Sequence, residues 1–188
     1  MFKPGDIIGF SGASLVSDVI NVATYGLPRT GISHVGIMAE ARDGRLLLFE
    51  STTLDGLPCE ITGKRFDGVQ AHSLDAVVAN YRGKVFLYPV YRKLYDFERQ
   101  RLTEYLMGMI GTPYDQIGAV RAAGDGFSWF ESLLRPRNLH SIFCSELDAA
   151  ALTAIGVMQT TKPQRWNPNH LVRHLRARGE LDAPVRLK

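Results

Sequence analysis

The chain carries two cysteines, Cys59 and Cys144, and five histidines, His34, His72, His140, His170 and His174. A cysteine and a histidine together point to thiol chemistry. A thiolate attacks electrophilic carbon, an imidazole within hydrogen-bond reach takes the thiol proton, and a third group orients that imidazole. Cys144 stands in the stretch Ile142-Phe143-Cys144-Ser145-Glu146-Leu147-Asp148, followed by Ala149-Ala150-Ala151-Leu152. Ser145 and Asp148 suit a first helical turn, and Leu147, Ala150, Ala151 and Ala154 recur at helical spacing. This reading puts Cys144 at or just before a helix N-terminus, where unpaired N–H groups and the helix dipole favour an anion such as a thiolate. The same stretch also fits a small buried hydrophobe, as free cysteines commonly are. The histidine segment makes it a candidate nucleophile.

Among the histidines, His34 opens the apolar stretch His34-Val35-Gly36-Ile37-Met38-Ala39, directly after a Gly-containing loop. A side chain at a sheet rim is accessible yet fixed by the ladder, as a general base needs to be. His170 and His174 lie one helical turn apart but lack a carboxylate at suitable spacing, so no metal site is assigned. His72 and His140 are read as loop residues.

The orienting carboxylate is sought in the hairpin that follows His34. Its returning strand is Leu46-Leu47-Leu48-Phe49-Glu50-Ser51. A two-residue turn at Asp43-Gly44 would place Glu50 on the face opposite His34. A three-residue loop, Arg42-Asp43-Gly44 with Gly44 left-handed, pairs Gly36 with Glu50 and brings Glu50 onto the face of His34. We adopt the three-residue register, in which Gly36 leaves room for the contact.

The remaining elements must hold these groups. Lys3-Pro4-Gly5-Asp6 is turn chemistry before a short strand, Ile7-Ile8-Gly9-Phe10. A helix is expected from Ser14 or Ser17, and a loop with a short strand near Cys59-Glu60-Ile61 fills the region up to residue 70. Then come helical turns from Ser73, a strand at Lys84–Val90, a helix capped by Asp96 and ended by Gly111, and a last helix from Asn169 to about Arg178. Strands adjacent in sequence, with helices between and after them, make an α+β domain expected to span residues 1–188, and the family resemblance described below implies a core at about 3–175.

Composition narrows the classes. The 188 residues suffice for one domain with a core, and 45% apolar with 22% charged content is that of a soluble globular protein. No apolar run reaches the roughly 20 residues a transmembrane helix needs, and Met1-Phe2-Lys3-Pro4 lacks a signal-peptide core, so a cytoplasmic chain is expected. Two cysteines do not build a disulfide scaffold. The net charge of +3 is concentrated in the C-terminal segment, where Lys162, Arg165, Arg173, Arg176, Arg178, Arg186 and Lys188 face Glu180 and Asp182. We read it as a solvated face rather than a nucleic-acid site.

Four segments in order, His34-Val35-Gly36-Ile37, Phe49-Glu50-Ser51, Gly111-Thr112-Pro113-Tyr114-Asp115 and Phe143-Cys144-Ser145-Glu146-Leu147, resemble the circularly permuted papain-like proteins of the NlpC/P60 superfamily, and within it the YiiX/YebB-like bacterial cysteine hydrolases. The histidine precedes the cysteine, as in the permuted order. The resemblance implies an antiparallel sheet packed against helices, with Cys144 as nucleophile, His34 as base and Glu50 orienting His34. It also suggests Tyr114 as a group that binds substrate or steadies an oxyanion; no metal and no cofactor are expected. The main-chain N–H of Cys144 is the natural second oxyanion donor if a helix starts there. The implied reaction is hydrolysis of an amide or peptide bond through an acyl-enzyme, in a cell-wall peptide or a related amide. Relatives of this kind also include lipid acyltransferases and thioesterases, and papain-like domains serve as binding modules. The long segment between Tyr114 and Cys144 departs from ordinary members, and its Phe127, Trp129 and Phe130 suit a lid or an apolar wall for an acyl chain.

Overall fold

A computed structural model describes residues 2–12, 31–52, 56–113, 140–160 and 166–188. Along the described chain run strands β1 (Ile7–Gly12), β2 (His34–Glu40), β3 (Leu46–Thr52) and β4 (Gly68–His72), helix α1 (Leu74–Asn80), strand β5 (Gly83–Tyr88), helices α2 (Asp96–Met109), α3 (His140–Ala154) and α4 (Pro168–Ala177), and a short strand β6 (Val185–Arg186). The expected helix from Ser14 or Ser17 lies outside the described residues.

The strands form one antiparallel sheet in the order β4-β3-β2-β1-β5-β6, so the class is α+β. The β2–β3 hairpin has the three-residue loop. Ile37 pairs with Phe49 and Met38 with Leu48, Ala41 donates its N–H to the Arg45 carbonyl at 2.8 Å, and Gly44 sits at φ +84°. A left-handed residue at that position is what a three-residue hairpin requires, and glycine adopts it without steric cost.

Side chains alternate across the strands and sort into two cores. Ile7, Val35, Ile37, Phe49 and Val69 pack with Leu102 and Leu106 of α2, Leu147 and Leu152 of α3, and Leu171 and Leu175 of α4. Ile8, Phe10, Met38, Leu48, Val85 and Leu87 face the other way, with Leu74 of α1 against them. Burying each such side chain contributes roughly 1.5–3 kcal/mol. Asp6 ties the first turn to the sheet: its carboxylate accepts the N–H groups of Lys3 at 3.0 Å and Val90 at 2.9 Å.

Several expectations need correction. Helix α3 begins at His140, so Cys144 is its fifth residue and not its start, and His140 is helical rather than in a loop. His72 ends a strand, β4, rather than lying in a loop. Residues 59–61 form a turn, not a strand, because Cys59 N–H bonds the Lys64 carbonyl and Gly63 N–H returns to Cys59. Asp96 is the first residue of α2, and Tyr95 is its cap.

Candidate active site

His34 is the first residue of β2, and the backbone just ahead of it is held from two directions. Ser33 N–H bonds the Phe10 carbonyl at 2.8 Å, and Ile32 N–H bonds the Asn169 side-chain oxygen at 2.8 Å. The Phe10 ring lies 5.3 Å from the imidazole, centroid to centroid. Glu50 lies diagonally across β3, on the same face by register. The glycine between them is needed: a Cβ on Gly36 would stand 2.9 Å from the Phe49 carbonyl oxygen and 3.1 Å from Glu50 Cβ.

His34 Nε2 lies 2.7 Å from Glu50 Oε2. The second carboxylate oxygen, Oε1, lies 2.9 Å from Nδ1 of His72 on β4. The three side chains therefore form a row across three neighbouring strands, with His72 and Glu50 almost wholly buried. Burial opposes ionisation of Glu50, but hydrogen bonds from His34 and His72 and the charges of the two rings outweigh it, bringing the carboxyl down to about 2. An ionised carboxylate only accepts hydrogen bonds. Nε2 of His34 and Nδ1 of His72 must then both carry hydrogen, and the ring nitrogen of His34 left for another partner is Nδ1.

Cys144 is hydrogen-bonded to His34. Burial works against a charged imidazole at His34, yet the charge at Cys144, the bond to it and the bond to Glu50 together raise the ring well above its usual range. Cys144 itself is 0% exposed, while the His34 side chain keeps 15% of its surface in solvent.

The structure brings Cys144, His34 and Glu50 together. Tyr114, Phe127, Trp129 and Phe130 lie outside the described residues. Because α3 starts at His140, the Cys144 N–H falls within the helix ladder, where an i−4 carbonyl takes it, and the expected oxyanion donor is lost. His170 and His174 flank Trp166, with centroids 4.5 and 4.6 Å away.

Three residues of this region escaped the sequence reading. His72 shares the face of Glu50 once β4 is in register, with Glu50 paired to Gln70. Asp148 follows Cys144 by one helical turn, is 0% exposed, and neither of its carboxylate oxygens has a hydrogen-bond partner. Burial raises Asp148 well above the usual carboxyl range, His34 offsets part of this and Glu50 adds to it. Asn169 is the third: its amide reaches the loop ahead of His34. Tyr81, raised by burial, with a bond to Ser33 offsetting part of this, also feels the Glu50 charge.

Comparison with solved structures bears on the fold. The metalloprotein yiiX from Escherichia coli O157:H7 superposes with a TM-score of 0.53 at 24% identity, over 97% of this chain and 87% of that one. The two chains share a fold. Comparisons with protein families and with curated proteins find no match. Among the described residues, no helix is long and apolar enough to cross a membrane.

Proposed function

We propose that the chain is a thiol hydrolase of permuted papain-like, NlpC/P60-type architecture, cleaving an amide or peptide bond through an acyl-enzyme. One observation carries the reading. Cys144 is hydrogen-bonded to His34, and His34 Nε2 is held by Glu50 at 2.7 Å. In the proposed sequence His34 Nδ1 takes the thiol proton and Cys144 sulfur attacks the carbonyl carbon. The resulting oxyanion collapses, the C–N bond breaks, and His34 returns its proton to the leaving amine. Water, deprotonated by His34, then cleaves the thioester and frees the acid. Glu50 stays ionised throughout and stabilises the imidazolium. Tyr114 is assigned to substrate or oxyanion on the resemblance alone.

The yiiX protein is described as a metalloprotein. In this chain, both Glu50 oxygens are taken by ring nitrogens at hydrogen-bond distance, and among the described residues no group of three His, Cys, Asp or Glu side chains is arranged to hold a metal ion. These residues do not fit a metal centre as they stand, and no step is routed through one.

The test is turnover of muropeptides, lipoamides and acyl-thioesters by the wild type, Cys144→Ala and His34→Ala. Loss in both variants with unchanged circular dichroism is expected. Retained turnover in Cys144→Ala overturns the reading, and the preferred substrate separates the amidase from an acyltransferase or thioesterase. A second reading, a non-catalytic binding module, is favoured by one observation, the complete burial of Cys144. Alkylation by iodoacetamide separates the two, because a resting thiol reacts only above about pH 8.5 and an activated one reacts well below it.

A further inference from the structure

Glu50 is gripped on both sides, and only one side belongs to the triad. We propose that His72 is a positioning residue. Its Nδ1–H holds Glu50 Oε1, which fixes the carboxylate so that Oε2 keeps His34 in the Nε2–H tautomer with Nδ1 free to face Cys144. This inference rests on the thiol-hydrolase reading and adds to it a group that touches neither substrate nor thiol.

The geometry supports it in three ways. The 2.9 Å contact from His72 matches the 2.7 Å contact from His34, so neither oxygen of Glu50 is free to turn. His72 is 3% exposed, and its far nitrogen, Nε2, is buried with no hydrogen-bond partner. A buried ring that leaves one nitrogen unsatisfied incurs a desolvation cost. A hydrophobic residue of the same shape would avoid that cost if packing were the ring's only task. Finally, β4 carries His72 opposite Leu48, one pleat from Glu50, so the contact is built into the sheet register rather than reached by a flexible loop. The other ionisable groups around His34 and Glu50 are Cys144 and Asp148 on α3 and Tyr81 after α1. The described contacts give no other hydrogen bond to Glu50 Oε1.

The experiment measures the rate of Cys144 alkylation by iodoacetamide against pH in the wild type, His72→Phe and His72→Asn. Phenylalanine keeps the ring shape without a donor, and asparagine restores a donor near the Nδ1 position. The expected result is a midpoint in His72→Phe displaced upward by about one pH unit, which is about a tenfold slower reaction on the acid limb, with recovery in His72→Asn. Unchanged midpoints in His72→Phe overturn the proposal. A wild-type midpoint already at about 8.5 overturns the hydrolase reading instead, so the two failures are distinct. Should His72→Phe not fold, nitrogen-15 shifts of histidine in the wild type decide: a hydrogen on His72 Nδ1 and on His34 Nε2 is expected, and a bare His72 Nδ1 overturns the proposal.

Discussion

The side chain of Asn169 accepts the N–H of Ile32 at 2.8 Å, bridging 137 positions of sequence and anchoring the chain two residues ahead of His34. Asn169 lies in the first turn of α4, where Asn167 caps the helix by accepting the His170 N–H. The helix that holds the two remaining histidines thus also locates the base. Asn169→Ala leaves a buried N–H without its acceptor, a cost of about 1–3 kcal/mol. Urea unfolding should show that loss, and alkylation of Cys144 should lose its low-pH limb. A variant with wild-type stability and reactivity would show that Ile32 is held by other means.

Gly36 sets the distance between base and carboxylate. A methyl group there meets Leu48 Cδ1 at 2.8 Å and the Phe49 carbonyl at 2.9 Å, and the carbonyl cannot turn aside. Gly36→Ala should destabilise the fold by about 1–3 kcal/mol, as overpacking does. It should also separate the β2 and β3 side chains enough to slow turnover. Equilibrium denaturation and kcat together check this, and full activity in the variant would contradict it.

Glu50 makes the fold acid-sensitive. Its carboxyl is lowered from 4.5 to about 2 on folding, so its contribution is present above about pH 4.5 and is lost as pH falls towards 2. The contribution is about 3 kcal/mol, from 1.36 kcal/mol per pH unit. Unfolding free energy measured between pH 5 and pH 2 should fall more steeply in the wild type than in Glu50→Gln. Parallel curves would rule out a paired, ionised Glu50.

Asp148 acts with the opposite sign. Its carboxyl binds a proton more tightly in the folded chain than in the unfolded one, so its effect on stability becomes unfavourable as pH rises from about 3.8 to its raised folded value. Asp148→Asn carries no charge to bury. The variant should gain stability relative to the wild type as pH rises from about 3.8 towards the raised folded value of Asp148. Thermal melts at several pH values read the difference directly. A constant offset across the series would mean that Asp148 does not bind its proton more tightly in the fold.

The hairpin holding His34 and Glu50 was legible because it is local. Alternation and a Gly-containing turn admit two registers, and the wish to place both residues on one face selects the register that the fold adopts. The start of α3 was not legible. Ser145 and Asp148 look like capping residues, but Ser145 Oγ instead donates to the Trp166 carbonyl at 2.5 Å and Asp148 is buried on the helix body. Tertiary partners used side chains that local chemistry would have spent on a cap. Strand β4, five residues after a turn-rich segment, gave too short an alternation to read, and His72 was read as a loop residue with it. Strand β6, with two residues, exists only through its pairing to β5.

The row from His34 through Glu50 to His72 is drawn from three successive neighbours of one meander, whereas Cys144 arrives on a helix far downstream. Contacts of long sequence separation carry a larger loop-closure cost than local pairings. The imidazoles and the carboxylate are thus linked by contacts between successive strands, whereas bringing Cys144 to His34 closes a much longer loop and carries the larger entropic cost.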